Sequence, residues 1–451
     1  ATVFNVADVT GDASADLIVA GNLMDQAGTG AAGEIVKNGA GTMALTSASS
    51  YSGTTAVNAG TLQVDGGAIS NTDSVAIDAG TLQVINQGNV NVTNGVTNGA
   101  GAGQLLIDEG TMTVGDGLAL DTLRVGEDAG TDSSLVVSAG AVSVGNGTET
   151  LAIGNRDADV TNDATATVDF SSASGVTINV ASTLMGRLTG GAGQFKVHGA
   201  LLLSDSGANT VNTTTMIVGG SPGTGNESNN GTNVADIISE IQFGSGTNDL
   251  NVDTLTLGDG KAQGKITITA GGELNISGDT GAATNANLGW NVNGSTGNQA
   301  HGVIDASGAT LNAAFGTLNL GRHVGGSGAG IGTLIFDAGT VTANTVALAT
   351  STGNSSGTIT QRGGSFTVAN GVTETQTSTL NIENGQFTVT AAGLQVDTLH
   401  IAKQDASNAG EPAKNATVTV QGGAVTIGDV VNGGQLEVGT RTGSDTGIPA
   451  G

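Results

Sequence analysis

The stretch NAGTLQVDGG (58–67) is followed twenty residues later by DAGTLQVINQ (78–87), and the shared AGTLQV decides how the rest of the chain is read. Looser copies continue as DEGTMTV (108–114), SAGAVSV (138–144), DAGTVTA (337–343), ENGQFTV (383–389) and QGGAVTI (421–427). In ITAGGELNI (268–276) and VIDASGATLNA (303–313) one residue is inserted beside the glycine. Every copy sets a glycine just before an apolar–polar–apolar alternation, the pattern of a turn feeding a short strand.

A second signature accompanies the first: TLRVG (122–126), TLAIG (150–154), TLTLG (254–258), TLNLG (317–321), TLHIA (398–402) and QLEVG (435–439). Its leucines recur from Leu123 to Leu151, from Leu255 to Leu288 and from Leu288 to Leu318, each interval close to the same length. A unit of about thirty residues holds three strand-sized pieces, such as LRVG, SLVVS and AVSVG between 123 and 145. Repeated units bury their apolar faces on their neighbours, so the repeat predicts one elongated array. The fold expected is an all-β parallel β-helix (β-solenoid) with three short strands per coil and, at that unit length, about fifteen coils.

In such a coil each strand bonds to its equivalent about 4.8 Å above and below. Val57, Leu62 and Val64 point inward and Gln63 outward; Ile77, Leu82, Val84 and Gln83 repeat the assignment one coil later. The glycine of AGT then sits at a corner, where positive φ or close backbone approach excludes a side chain. A hairpin-built β-prism or propeller competes with this reading. Long polar insertions, GGSPGTGNESNNGTN (219–233) and NRDADVTNDAT (155–165), favour the solenoid, because they can bulge from a corner without breaking a ladder.

Composition agrees. Of 451 residues 77 are Gly, 3 are Pro and 2% are aromatic, which disfavours helices and a bulky aromatic core. Lys plus Arg number 12 against 39 Asp plus Glu, a net charge of −27 that repels nucleic acid and anionic membrane surfaces. The chain has no cysteine, which removes disulfides, thiolate metal sites and cysteine nucleophiles. No apolar run approaches the roughly 20 residues of a membrane helix, and the opening ATVFNVADV lacks a basic-then-apolar leader; export would require a leader already removed.

At residues 33–67 the pattern becomes more specific. GEIVKNGAGTMALTSASSYSGTTAVNAGTLQVDGG closely resembles the passenger-associated transport repeat of Gram-negative autotransporters, a Lys-x-Gly-x-Gly-Thr-Leu strand, a Tyr-x-Gly-x-Thr turn and an Ala-Gly-Thr-Leu strand. The matching residues are Lys37, Gly39, Gly41, Thr42 and Met43; Tyr51, Gly53 and Thr55; and Ala59, Gly60, Thr61 and Leu62, with Met43 in place of the usual Leu. The resemblance implies a right-handed β-helix exported through the outer membrane and displayed outside the cell. It divides the chain into N-terminal strands (1–32), the repeat-like coil (33–67) and a continuing β-helix (68–451). An autotransporter ends in a membrane β-barrel, whereas this sequence ends GTRTGSDTGIPAG in mid-coil, which points to a cleaved barrel or a longer polypeptide.

Chemistry is sparsely signalled. DVTGDASAD sets oxygen side chains at Asp8, Thr10, Asp12, Ser14 and Asp16, the alternate spacing of a calcium loop, although Ala13 occupies the place such loops give to glycine. Asp157, Asp159 and Asp163 form a weaker second candidate. Arg322 and His323, with Asp305 as a neighbour from the preceding coil, are the best catalytic grouping, but simple exposure on a turn is the preferred reading of them. His198, His301 and His400 lack metal-ligand spacing. GGSGAGIG (325–332) has no following Lys-Ser/Thr pair and reads as a turn. The expected function is therefore a non-enzymatic, secreted or surface-displayed structural β-solenoid: a stalk, fibre or surface layer, with no cofactor except the candidate calcium. The alternatives are an adhesin that binds host or surface glycans through its loops, and a carbohydrate-active β-helix. Neither TVFNV nor QLEVG is followed or preceded by a capping helix, so head-to-tail stacking of one chain on the next is a further expectation.

Overall fold

A computed structural model describes the chain except for residues 29, 100, 128–131, 157–163, 190–196, 222–238, 292–298, 325–327, 352–353, 406–413, 429–432, 440 and 443–451. The described residues are all-β, and 39 strands join in one sheet whose pairings are all parallel. Parallel pairing throughout removes the hairpin reading, since adjacent hairpin strands run antiparallel.

The two AGTLQV copies lie in Thr55–Asp65 and Val75–Ile85, paired residue on residue: Val57 with Ile77, Gly60 with Gly80, Leu62 with Leu82, Val64 with Val84. The twenty-residue echo is one circuit of the chain. Val57, Leu62, Val64, Ile77, Leu82 and Val84 are buried, and outside them Gln63 Nε2 donates to Gln83 Oε1 at 2.9 Å. Identical residues stacked one rung apart reproduce the same burial and the same outward hydrogen bond.

Each circuit contributes one segment to each of three ladders. The first ladder takes Thr55–Val57 of the strand Thr55–Asp65 and passes through Leu118–Leu120, Ala141–Val144 and Ser365–Val368. The second carries Thr42–Leu45, Gln104–Ile107 and Thr122–Val125. The third carries Asn89–Val92, Thr111–Val114 and Ser133–Val137. Inward residues of all three fill one continuous aliphatic cluster from Val6 to Leu399. Aromatic packing does occur locally, where Phe366 meets Phe336 and Phe387 edge to face at 6.3 and 5.3 Å between centroids.

Coil length is not constant. Leu105 pairs with Leu123 and Met216 with Leu255, so the second of these circuits is more than twice as long as the first. As a result the sequence motifs drift around the coil. AGTLQV lies on the second ladder, TMTV (111–114) on the third and AVSV (141–144) on the first; likewise TLRV lies on the second ladder but TLHI (398–401) on the third. The motif encodes a turn feeding a strand, not a particular side. Leu288 stacks on Leu320, not Leu318, because Ala286 is the residue paired with Leu318.

The glycine at the AGT corner works in two ways. Gly60 has φ +64°, and a Cβ there would meet the carbonyl oxygens of Gly39 and Gly41 at 2.5 Å. Gly80 has an ordinary φ, and a Cβ would lie 2.7 Å from Val57 Cγ1, so close packing alone demands glycine.

Candidate functional site

The repeat-like coil is organised by buried polar groups. Lys37 lies on the inward side of Ile35–Asn38, fully buried, and its Nζ donates to the carbonyls of Gly39 (2.8 Å), Ala59 (3.0 Å) and Asn38 (3.3 Å). The ammonium thereby ties its own corner to the AGT corner of the next coil. Burial pulls its pKa below the usual lysine value, and the Asp16 carboxylate opposes that shift. Tyr51, 1% exposed, holds its hydroxyl 2.6 Å from Thr55 Oγ1, which lies 2.9 Å from Thr72 Oγ1. Thr72 donates to the Gly53 carbonyl at 2.7 Å, so the protons run Tyr51 to Thr55 to Thr72 to backbone. Burial pushes the Tyr51 phenol up to about 12 against the two threonine hydrogen bonds.

The candidate calcium residues serve the turn they sit in. Asp8 Oδ1 accepts the Gly11 amide at 2.8 Å, and Asp12 Oδ1 accepts the Ser14 amide at 2.8 Å. Asp16 Oδ1 accepts the amides of Val9 (2.8 Å) and Thr10 (2.9 Å) and the Thr10 hydroxyl (3.1 Å), while its Oδ2 accepts the Thr42 amide at 2.8 Å. Among the described residues no group of three or more His, Asp or Glu gathers as a metal site. Asp157, Asp159 and Asp163 lie outside the described residues.

Asp16 is thus a clip between the N-terminal turn and the repeat-like coil. The Thr42 amide, followed by those of Val9 and Thr10, lowers its pKa to about 2 from an ordinary 3.8. A depressed carboxylate stabilises the fold above its unfolded pKa and loses that contribution as pH falls through the folded value. Asp16→Ala is expected to melt below wild type at pH 7, and the gap is expected to close between pH 4 and 2. Repeating the melts in calcium and in chelator tests ion binding at the same turn, with equal wild-type curves removing it.

The catalytic grouping is not assembled. Asp305 lies on the third ladder, paired with Thr267 and Ile335, and its Oδ1 accepts the Ser307 amide and hydroxyl at 3.0 and 2.6 Å. Arg322 and His323 end the same strand, Gln299–His323, but on the second ladder, so Asp305 lies on a different side of the coil. Arg322 stacks on Trp290 with its guanidinium carbon 4.4 Å from the ring centroid. His323 is fully buried, which lowers its pKa. His301 is buried too and held down to about 4 by desolvation. His400 lies 3.3 Å from Glu437, which also pairs with Lys403 at 2.6 Å.

Elaboration concentrates at one corner. The first and second ladders are joined inside unbroken strands, Gly175–Leu188, Ala208–Gly220 and Thr247–Asp259. Between the second and third ladders the described strands end at Arg156, Gly220 and Asn291, and the next described strands begin at Ala164, Ser239 and Gln299. Beside this corner runs a strip in register: Arg187, Gly220, Asp259, Trp290, Arg322. Burial raises the Asp259 pKa and the Arg187 charge counters it.

Two features escaped the sequence reading. Glu374 stacks on Leu348 in the second ladder's inward column, 4% exposed, and Ser378 Oγ donates to its Oε2. The Ser378 amide donates to Asp397 Oδ2 at 3.2 Å, and the Asp397 amide returns to Ser378 Oγ at 2.9 Å. The signal was VTE at 372–374, an acid where the alternation calls for an aliphatic residue. The second feature is a cleft of ≈ 230 Å³ lined by Ala329, Ile331, Asn354, Ser355, Ser356, Gln376 and Thr377. No spacing rule announces it.

The class defined by these observations is a parallel β-solenoid with a polar-stapled N-terminal coil. Residues 35–64 match the family model of the passenger-associated-transport-repeat, which supports an autotransporter passenger-type repeat and implies export to the cell surface or extracellular space. Comparison with curated proteins and with solved structures gave no match. No helix among the described residues is long and apolar enough to cross a membrane.

Proposed function

We propose that this chain is the passenger portion of an autotransporter-type protein, a right-handed β-helix of about fifteen coils that acts as a non-enzymatic structural element at the cell surface. The observation that carries this reading is the matched repeat at 35–64, joined by parallel ladders to the coils that follow it. A continuous, mostly aliphatic core and scattered charges suit a stalk, fibre or surface-layer component. Head-to-tail stacking of parallel coils is its polymeric form, since such contacts are heterologous and propagate.

Adhesion is the second reading, favoured by the long sequence insertions between second- and third-ladder strands, because binding residues collect on segments carried by a rigid scaffold. Electron microscopy of the purified protein separates the forms. Coils rising about 4.8 Å each give a rod on the order of 70 Å. Filaments with that repeat support polymerisation, whereas isolated rods at high concentration leave a monomeric stalk or adhesin. Protease shaving of intact producing cells tests display: a passenger is cut away with the cells intact, and a protected chain would end the reading.

A further inference from the structure

We infer that the cleft at the N-terminal edge of the third ladder is a binding subsite for one ring of a neutral glycan, with Asn354, Ser356, Gln376 and Thr377 as its hydrogen-bonding wall and Ile331 with Ala329 as its apolar floor. Three successive rungs build it: Ile331 pairs with Ser356, and Ser356 with Thr377. Three rungs about 4.8 Å apart make a wall on the order of 10 Å long, and the volume of ≈ 230 Å³ suits a single sugar ring.

The lining chemistry selects the ligand. In a chain of net charge −27, every residue lining the cleft is uncharged. Two amides and two hydroxyls supply donors and acceptors together, and the apolar floor suits the C–H face of a pyranose; a charged ligand would find no counter-charge here.

The second observation is that these polar groups are uncommitted. On the first and second ladders several outward amides bond to each other from coil to coil, as Asn58 does to Asn38 (2.9 Å), Asn251 to Asn212 (2.8 Å) and Asn319 to Asn287 (2.8 Å). The side chains of Asn354, Ser356, Gln376 and Thr377 make no such bond to another described residue. Beneath them Ser355, 7% exposed, keeps its hydroxyl buried and without a partner among the described residues. Open amides and hydroxyls gathered around one concavity, with a buried unpartnered hydroxyl beneath them, are placed to bond a ligand.

This subsite builds on the surface-display reading for where a glycan would be met, and its test does not depend on display. Saturation-transfer NMR on the purified chain would use three neutral probes: gluco-, manno- and galacto-tetraose. Transfer to at least one is expected, weakened about tenfold in affinity by Asn354→Ala with Gln376→Ala, and abolished by Ser356→Trp, which fills the cleft from an outward position. Far-UV circular dichroism of each variant confirms that the ladders persist. Absence of transfer from all three neutral probes, preference for polygalacturonate over them, or binding unchanged in the double variant would each overturn the subsite. Binding by a chain that shaving shows is not displayed would overturn only the display reading.

Discussion

Leu82→Asp is expected to unfold the coils around it. Leu82 is fully buried between Leu62 below and Leu105 above, in an aliphatic column where a carboxylate has no partner. Such burial costs about 5 kcal/mol, or forces the acid to take up a proton. Contacts in a solenoid are between neighbours, so the damage should be regional. The chain carries one Tyr and one Trp, and both are usable reporters. Tyr51 lies within two coils of Leu82, and Trp290 is many coils away. The tyrosine signal should melt well below the tryptophan signal in the variant. Coincident, unshifted transitions would mean that Leu82 does not carry the core at this point.

Lys37→Met is expected to cost about 3 kcal/mol, since hydrogen bonds from a charged donor contribute about 1.5–3 kcal/mol each and the carbonyls of Gly39 and Ala59 would be left without it. Met keeps the stem's packing in the buried channel, so the loss isolates the ammonium. Urea unfolding followed at Tyr51 measures it as a lowered midpoint with a preserved slope. A midpoint equal to wild type would show that the carbonyls find other donors and that the lysine packs without stapling. Lys37 and Tyr51 both lie within the span 35–64 that matches the passenger-associated-transport-repeat.

Much of the architecture was legible because its determinants are local. Alternation in AGTLQV sets Leu62 and Val64 inward and Gln63 outward, and recurrence after twenty residues sets the pairing partner. Met43 could replace Leu in the repeat because the position asks only for an apolar side chain of that volume, and it is fully buried there. The same locality misled over longer spans. A turn-and-strand motif says nothing of which side of the coil it occupies, so TLRV and TLHI look alike and lie on different ladders. Asp305 and Arg322 seemed neighbours by coil counting and proved to occupy different sides of the solenoid.

By itself, then, the sequence determined the all-β parallel repeat, the inward columns and the corner glycines, since each follows from residues within a few positions and from repetition of the same few. Only the tertiary structure decided where coils as unequal as those closed by Leu123 on Leu105 and by Leu255 on Met216 bring distant side chains together. Asp16 reaching the Thr42 amide, Glu374 lying in a leucine column, and Ile331, Ser356 and Thr377 meeting around one cleft all depend on the length of every intervening insertion. Insertions of any length leave a ladder intact, so the core pattern carries no record of them, and the register of function is set only once the coil has closed.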